Sequence, residues 1–364
     1  MRKLLTELCH PKQWKTIASK DLLSQGYPVY GANGLIGYWR DYNHNSDVLT
    51  IGCRGTCGAL NIIGGKSYIN GNAMCLDELS HDIYIRYLYY YLRWYDLRKI
   101  ITGTTIPQIT IQGLQKVWVD YPSIKKQSEI VYVLDKVNLI IDYYQQQLQK
   151  LDDLVKARFV EMFGIPFVND KHWVTKCIGE VVTEVRYGTS RPAVEGGKYP
   201  YLRMNNLTND GEIDLNNLKY IDIPDDEVEK CIVRKGDVLF NRTNSAELVG
   251  KTAMFDLDEE MIIAGYIIRV RLQSCLRPEI LSQYMNLKPV KELLHSMAKG
   301  AVNQANINAQ ELQRIEVYIP HIELQREFVA FKKQLDKSKF VESIHVLKLI
   351  KEAIAKEVSH DRIR

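Results

Sequence analysis

The sequence predicts an α+β fold built from two mixed strand-and-helix domains, each followed by one long helix. The first observation is a passage written twice. Gln112, Leu114, Gln115, Lys116, Val117, Val119, Pro122, Ile124, Gln127 and Glu129 return 198 positions later as Gln310, Leu312, Gln313, Arg314, Ile315, Val317, Pro320, Ile322, Gln325 and Glu327. The second is what surrounds each copy: a segment with strand and helix signals before it, and a run of helical periodicity after it. Fainter echoes extend the repeat upstream. Trp14 precedes Tyr27-Pro28-Val29-Tyr30 as Trp173 precedes Tyr199-Pro200-Tyr201, and Asp47-Val48-Leu49 is matched by Asp237-Val238-Leu239. The span from Trp14 to Pro122 is 108 positions and that from Trp173 to Pro320 is 147, so the two halves share a scaffold and differ in their loops.

The first domain is assigned to residues 1–124. Val48-Leu49-Thr50-Ile51 and Val117-Trp118-Val119 read as strands, and 82–98 as a helix. Tyr84, Tyr87, Tyr89, Tyr90, Tyr91, Trp94 and Tyr95 recur around that helix, a pattern assigned to packing. A first spacer helix is assigned to 125–165. Ile130, Val133, Leu134, Val137, Ile140, Ile141, Tyr144, Leu148, Leu151, Leu154, Val155 and Phe159 form one apolar stripe, and Gly164 and Pro166 stop it. Such a helix is roughly 58 Å long at about 1.5 Å per residue, too long to bury its stripe in one small domain.

The second domain is assigned to 166–322, with strands at Val238-Leu239-Phe240 and Ile267 to Leu272 and a helix over 279–297. A second spacer helix and tail occupy 323–364. Its stripe is Leu324, Phe328, Phe331 and Leu335, then Phe340, Ile344, Leu347, Ile350 and Ile354, with a phase slip at Asp336-Lys337-Ser338-Lys339. Two long helices with one stripe each can cover one another. Antiparallel pairing would set the domains at opposite ends of a rod in approximate twofold symmetry, and parallel pairing would set both at one end.

Composition is that of a globular chain, 46% hydrophobic and 25% charged over 364 residues. No stretch approaches the roughly 18 apolar residues of a membrane span, so a cytoplasmic location is expected. Seven scattered cysteines argue against a disulfide framework, and no pair has zinc-like spacing, so no metal is expected. Net charge is +4 for 1–124, zero for 125–165, −3 for 166–322 and +3 for 323–364. A polyanion bound by the second domain would require the acidic runs Asp222 to Glu229 and Asp256 to Glu260 to turn away from Arg186, Arg191, Arg203, Arg242 and Lys251.

Catalytic motifs are missing. The chain has no nucleotide-binding Gly-rich loop with Lys and Ser or Thr, no His-Glu-x-x-His, and no Asn-Pro-Pro-Tyr or Asp-Pro-Pro-Tyr loop for a flipped adenine. The glycines of Gly31 to Gly37 lack the strand and helix of a dinucleotide site. What stands out instead are polar loops in matching places: Tyr27 to Tyr38, Cys53 to Gly58 and Thr102 to Thr105 in the first half, and Tyr187 to Arg191, Arg203 to Asn206, Asn241 to Asn244 and Lys299 to Gln304 in the second. Arg, Asn and Gln can read base edges and Ser and Thr can reach phosphates; taken singly, each loop reads more readily as a solvated turn.

Three features together resemble a family: the run Gly26-Tyr27-Pro28-Val29-Tyr30-Gly31-Ala32-Asn33-Gly34, the run Asp237-Val238-Leu239-Phe240-Asn241-Arg242-Thr243 with Gly250-Lys251, and the doubled Pro-x-Ile-x-x-Gln-x-Glu opening of a long helix. Over essentially its whole length the chain resembles the specificity subunit of type I restriction-modification systems, which defend against foreign DNA. The resemblance implies two target-recognition domains, each reading half of a bipartite site in double-stranded DNA, held in a pseudo-twofold arrangement by two long helices forming an antiparallel coiled coil.

It implies docking of two methyltransferase subunits and an endonuclease/translocase subunit, with S-adenosylmethionine and ATP with magnesium on those partners and no cofactor or catalytic residue in this chain. Candidate DNA-binding residues are Tyr27, Tyr30, Asn33, Arg54, Thr104 and Thr105 in the first domain. In the second they are Tyr187, Thr189, Ser190, Arg191, Arg203, Asn205, Asn206, Arg242, Thr243, Asn244, Lys251, Lys299, Asn303 and Gln304. The first domain starts almost at Met1 and is compact, so either it reads a short half-site or the gene has lost part of its beginning. Unequal halves imply an asymmetric target. Competing readings are a self-contained DNA-processing enzyme, nuclease or methyltransferase, and a protein-interaction scaffold with no DNA role.

Overall fold

The computed structural model describes residues 1–103, 107–245, 248–298 and 305–360, the last ten by backbone alone. It divides into two compact units, one of residues 1–143 with the end of the chain from His345, the other of residues 144–344.

The first unit opens with β1 (Arg2–Leu4), α1 (Leu5–Leu8) and β2 (His10–Gln13), followed by β3 (Tyr27–Gly31), β4 (Gly34–Trp39), β5 (Val48–Gly52), β6 (Leu60–Ile63), β7 (Tyr68–Ile69) and β8 (Ala73–Asp77). Then come α2 (Ile85–Tyr95), α3 (Ile111–Leu114), β9 (Trp118–Asp120) and the start of α4 (Ile124–Phe163). The strands form sheets ordered β2-β8-β5-β6, β4-β3-β7 and β1-β9. The Gly31 to Gly37 run is the β3–β4 hairpin, in which Gly34 takes φ +116°, a backbone conformation open to glycine. The core gathers Leu49, Ile51, Met74 and Leu76 from the sheet with Leu88 and Leu92 of α2.

The helix expected over 82–98 is shorter, ending at Tyr95 and followed by a 3₁₀ turn, Leu97–Ile100. Its tyrosines brace neighbouring elements: Tyr87 and Tyr91 hydroxyls donate to the Asp120 and Trp118 carbonyls, and the Tyr90 hydroxyl donates to Asp135 Oδ1 on α4 (2.7 Å). Trp94 does not; it is 77% exposed.

The second unit contains the end of α4, then β10 (Val174–Cys177), β11 (Val182–Tyr187), β12 (Tyr199–Leu202), β13 (Lys219–Ile221), α5 (Asp225–Cys231), β14 (Ile232–Val233), β15 (Val238–Asn241), β16 (Thr243–Asn244), β17 (Thr252–Met254), β18 (Met261–Ile263) and β19 (Ile267–Leu272). It continues with α6 (Pro278–Met285), α7 (Lys288–Ala298), β20 (Ala305–Asn306), α8 (Ala309–Gln313), β21 (Glu316–Ile319) and the first part of α9 (Ile322–His360). The single helix expected over 279–297 is two, α6 and α7. Pro289 near the start of α7 has no N–H for a bond back to Met285, and the Asn286 side chain instead donates to the Ser282 and Thr252 carbonyls.

Sheet order duplicates across the units. β11-β19-β15-β17 repeats β2-β8-β5-β6, β13-β12-β18 repeats β4-β3-β7 with β14 added, and β10-β21 repeats β1-β9. Each parallel pair recurs as well: Tyr30 faces Ile69 and Leu202 faces Ile263. α5 and β14 have no counterpart among the described residues of the first unit, and the β16–β20 pair is reduced there to the single Arg54–Gln108 bridge. Two sequence echoes shift under this alignment. Trp14 follows β2, whereas Trp173 precedes β10, the counterpart of β1, so the tryptophans are not equivalent. Asp47-Val48-Leu49 is also one residue out of step with its echo, as the hydrogen bonds of the next section show.

The written repeat has a structural meaning. Its short helices α3 and α8 are capped by Thr110 and Asn308, 198 positions apart, each accepting backbone N–H groups through its side-chain oxygen. Gln127 and Gln325, both fully buried, tie each long helix to its own unit. Gln127 Nε2 donates to the carbonyls of Pro122 (2.9 Å) and Asp82 (2.8 Å), and its Oε1 accepts from Tyr84 N (2.7 Å). Gln325 Nε2 donates to Pro320 O (2.7 Å) and Cys275 O (2.9 Å), and its Oε1 accepts from Arg277 N (2.9 Å).

Within the second unit α4 and α9 pair antiparallel: Arg158 meets Glu327 (3.2 Å), and further back along α4 the Tyr144 hydroxyl donates to Lys339 O (3.3 Å). Phe159, Phe163 and Phe328 interlock with ring centroids 4.7–5.6 Å apart. α9 runs without a break through the expected slip at 336–339. There the apolar stripe gives way to charge: Lys339 reaches Asp152 on α4, and Phe340, Ile344 and Leu347 beyond it are exposed.

Candidate nucleic-acid interface

Backbone hydrogen bonds superpose one loop cradle on another. Gly52 N donates to Ala59 O (2.7 Å) as Asn241 N donates to Lys251 O (2.8 Å), and Gly58 N donates to Gly52 O as Gly250 N does to Asn241 O, both at 2.8 Å. Ile109 N donates to Cys53 O (3.1 Å) and Ile307 N to Arg242 O (2.8 Å); Cys53 N donates to Asn72 O (3.0 Å) and Arg242 N to Tyr266 O (3.0 Å). Gly52 is therefore equivalent to Asn241, and Cys53 to Arg242. On the neighbouring strands Gln13 faces Met74 and Tyr187 faces Ile268, the same register, so Gln13 is equivalent to Tyr187.

In the second unit this cradle presents polar side chains. Tyr187 ends β11, its hydroxyl accepting from Ala309 N (2.8 Å) at the start of α8. The Arg242 guanidinium carbon lies 4.9 Å from the Tyr187 ring centroid. Gly188 lets the chain turn in tightly, since a Cβ there would lie 2.1 Å from the Ile263 carbonyl oxygen. Ser190 beyond it is exposed and neighbours Gly265. Asn244 spends its Oδ1 on Ser245 N (2.9 Å). Lys251 is partly buried, which lowers its ammonium below the usual lysine value.

Other candidates serve the fold instead. Thr189, Asn206 and Thr243 are buried. Thr189 Oγ1 accepts from Arg191 N (3.2 Å), Asn206 bonds Arg203 N and Asp214 O, and Thr243 Oγ1 donates to Asn306 Oδ1 (2.9 Å). Asn241 to Asn244 is accordingly the end of β15 and the short β16 more than a free loop. Arg191 corrects the charge expectation: rather than turning away, the acidic run reaches it, and Glu227 forks onto its guanidinium at 2.7 and 3.1 Å. Arg203 donates to Asn217 O (3.1 Å). Among the described residues neither it nor exposed Asn205 hydrogen-bonds to the Tyr187–Arg242 pair.

In the first unit Asn33 is exposed at the tip of the β3–β4 hairpin and Arg54 is exposed beside Gln108, with which it forms a bridge. Tyr27 and Tyr30 are half-buried on β3, Tyr27 edge-on to Tyr42. Thr104, Thr105, Lys299, Asn303 and Gln304 lie outside the described residues.

Sequence reasoning missed Gln13, Asn72, Tyr266 and Asn306. Gln108 and Asn306 stand 198 positions apart, so the written repeat did carry a signal for that pair. Metal-ligating atoms of His44, Cys75 and Asp77 come within 4.8 Å of one another in the first unit. Both imidazole nitrogens lie against oxygens, Nε2 at Asp77 Oδ1 (2.9 Å) and Nδ1 at Asn43 Oδ1 (2.8 Å), and burial pushes the Cys75 thiol well above its ordinary value. The group reads as a brace.

A family model described as the type I restriction modification DNA specificity domain matches residues 2–153 and 170–351, one copy in each half. The chain belongs to this family. Among its members, the EcoKI specificity subunit of Escherichia coli K12 is 23% identical over 256 residues, covering 66% of this chain and 55% of that one. The EcoBI specificity subunit of Escherichia coli is 23% identical over 346 residues, covering 86% and 68%. The chain spans 36% to 55% of the length of three of the relatives it matches. A crystal structure of the type I restriction-modification S subunit from M. genitalium shares the fold, with TM-score 0.50, 16% identity and coverage of 99% of this chain and 94% of that one. Among the described residues no helix is long and apolar enough to cross a membrane.

Proposed function

We propose that this chain is the DNA-reading subunit of a type I restriction-modification complex and performs no chemistry itself. Each domain reads one half of a bipartite, asymmetric site in double-stranded DNA. The long helices dock two methyltransferase subunits, and an endonuclease/translocase subunit completes the assembly. S-adenosylmethionine and ATP with magnesium act on those partners.

The observation that carries this reading is the duplicated cradle: one backbone hydrogen-bond pattern holds Cys53 and Gln13 in the first unit and Arg242 and Tyr187 in the second. A scaffold kept constant while its presented side chains differ is what two half-sites of different sequence demand. Apolar side chains left exposed on the helices, Leu139 and Tyr143 on α4 and Phe340, Ile344 and Leu347 on α9, suit partner docking.

Mapping adenine methylation in cells with and without the gene tests the proposal. Loss of methylation at one bipartite, asymmetric motif is expected. An unchanged methylation map overturns it, and a purified chain that methylates or cleaves DNA unaided favours a self-contained enzyme.

A further inference from the structure

We infer that Arg242 reads a guanine in the half-site of the second domain, and that Tyr187 is the positioning residue that aims it. The inference rests on the DNA-reading function proposed above. Arg186, Arg191, Arg234, Arg269, Arg271 and Arg277 of the same unit all pair with carboxylates. Arg242 has no ion pair and no side-chain hydrogen bond among the described residues; its Nε, like those of Arg203, Arg269 and Arg277, is buried without a partner. The adjacent Asn241 Nδ2 is a second buried donor left unpaired.

Two donor atoms on one planar edge match the N7 and O6 acceptors that guanine shows in the major groove. The stacking supplies the orientation. An N–H at the start of α8 holds the Tyr187 hydroxyl, the ring is thereby fixed, and the guanidinium lies against the ring. Confining a flexible side chain before binding lowers the entropy lost on binding.

The first unit provides an internal comparison. At the position of Arg242 stands Cys53, fully buried, and at that of Tyr187 stands Gln13, whose Nε2 donates to the Cys53 sulfur (3.0 Å). There the position of Arg242 is closed on itself, and the exposed cation of that cradle, Arg54, stands one residue on, at the position of Thr243. These two equivalent positions thus account for part of the asymmetry of the target.

Adenine methylation maps from cells carrying the full chain or a variant in its complex test this. The wild-type motif is expected to contain a G·C pair whose selectivity falls at least about fivefold in Arg242→Ala, the rest of the motif being kept. Arg242→Lys, which keeps the charge without the planar edge, is expected to lose part of the same selectivity, as is Tyr187→Leu. If Arg242→Ala methylates nothing, Arg242→Lys decides: a guanine preference undiminished there overturns the inference in favour of a phosphate contact. A motif unchanged in Arg242→Ala overturns the inference and leaves the DNA-reading function standing. A map unchanged on deleting the gene overturns both.

Discussion

Gln127 and Gln325 occupy the same place in two units of different sequence, each a buried amide that spends both donors and its acceptor on backbone groups. Each joins the Pro-x-Ile opening of a long helix to the residue that starts a domain helix, Tyr84 before α2 and Arg277 before α6. The junction is a clamp between a domain and its spacer.

Cutting either clamp strands two carbonyls and an N–H in the interior. Gln325→Ala is therefore expected to destabilise the second unit by about 3 kcal/mol, and Gln127→Ala the first by a similar amount. Gln325→Glu should be no milder, because a carboxylate cannot donate to Pro320 O and Cys275 O. Urea unfolding of the full-length variants measures this. A cost under about 1 kcal/mol in both would show that water replaces the amide.

The clamp also shows what the sequence disclosed. Residues set by burial and backbone geometry recur in the text: Pro122 and Pro320, Gln127 and Gln325, and the caps Thr110 and Asn308 nearly so. The 3.6-residue stripe from Ile130 to Phe159 lies wholly within α4, Ile124–Phe163. The proposed reading position did not recur: Arg242 answers to its proposed ligand, and buried Cys53 to its packing. Cys53 and Arg242 share no chemistry, so only the hydrogen-bond register equates them. The burial of Thr189, Asn206 and Thr243 was equally hidden, since small polar residues satisfy turns and solvent alike.

Glu227 restrains Arg191. The shared hydrogen bonds lower the Glu227 carboxyl below, and raise the Arg191 guanidinium above, their ordinary values, so neither side chain discharges near neutral pH. Glu227→Gln releases a cation on the edge of the proposed interface. The slope of log affinity for duplex DNA against log salt should then steepen by about one unit. Titrations at several salt concentrations measure it, and an unchanged slope places Arg191 away from the phosphates.

Lys291 on α7 donates to Gly250 O (2.9 Å), beneath the Arg242 loop. Burial, with smaller contributions from Lys251 and Lys156, lowers its ammonium to about 8, against an opposing pull from Asp210. Below about pH 8 the group is charged in both folded and unfolded chains, and the cost of burying that charge is fully present. Between there and the ordinary lysine value of about 10.4 the unfolded chain holds the proton that the folded one has released, so stability rises with pH. Lys291→Met should lack this rise. Urea midpoints of both proteins from about pH 7 to 9.5 test it, and parallel curves would exclude Lys291 as the source.

α9 should behave as two helices in one. Phe328 is enclosed by Phe159 and Phe163 of α4, so Phe328→Ala opens a cavity between the helices and should cost about 3–5 kcal/mol. Phe340, three turns on, is 65% exposed, and Phe340→Ser should change stability by less than about 0.5 kcal/mol. If the exposed stretch serves docking, Phe340→Ser should instead lower the amount of methyltransferase that co-purifies with the full chain while its unfolding curve stays fixed. A Phe340→Ser variant as unstable as Phe328→Ala would mean that the stripe beyond Lys339 packs within the chain, and the docking role would then have to move to α4, where Leu139 and Tyr143 remain exposed.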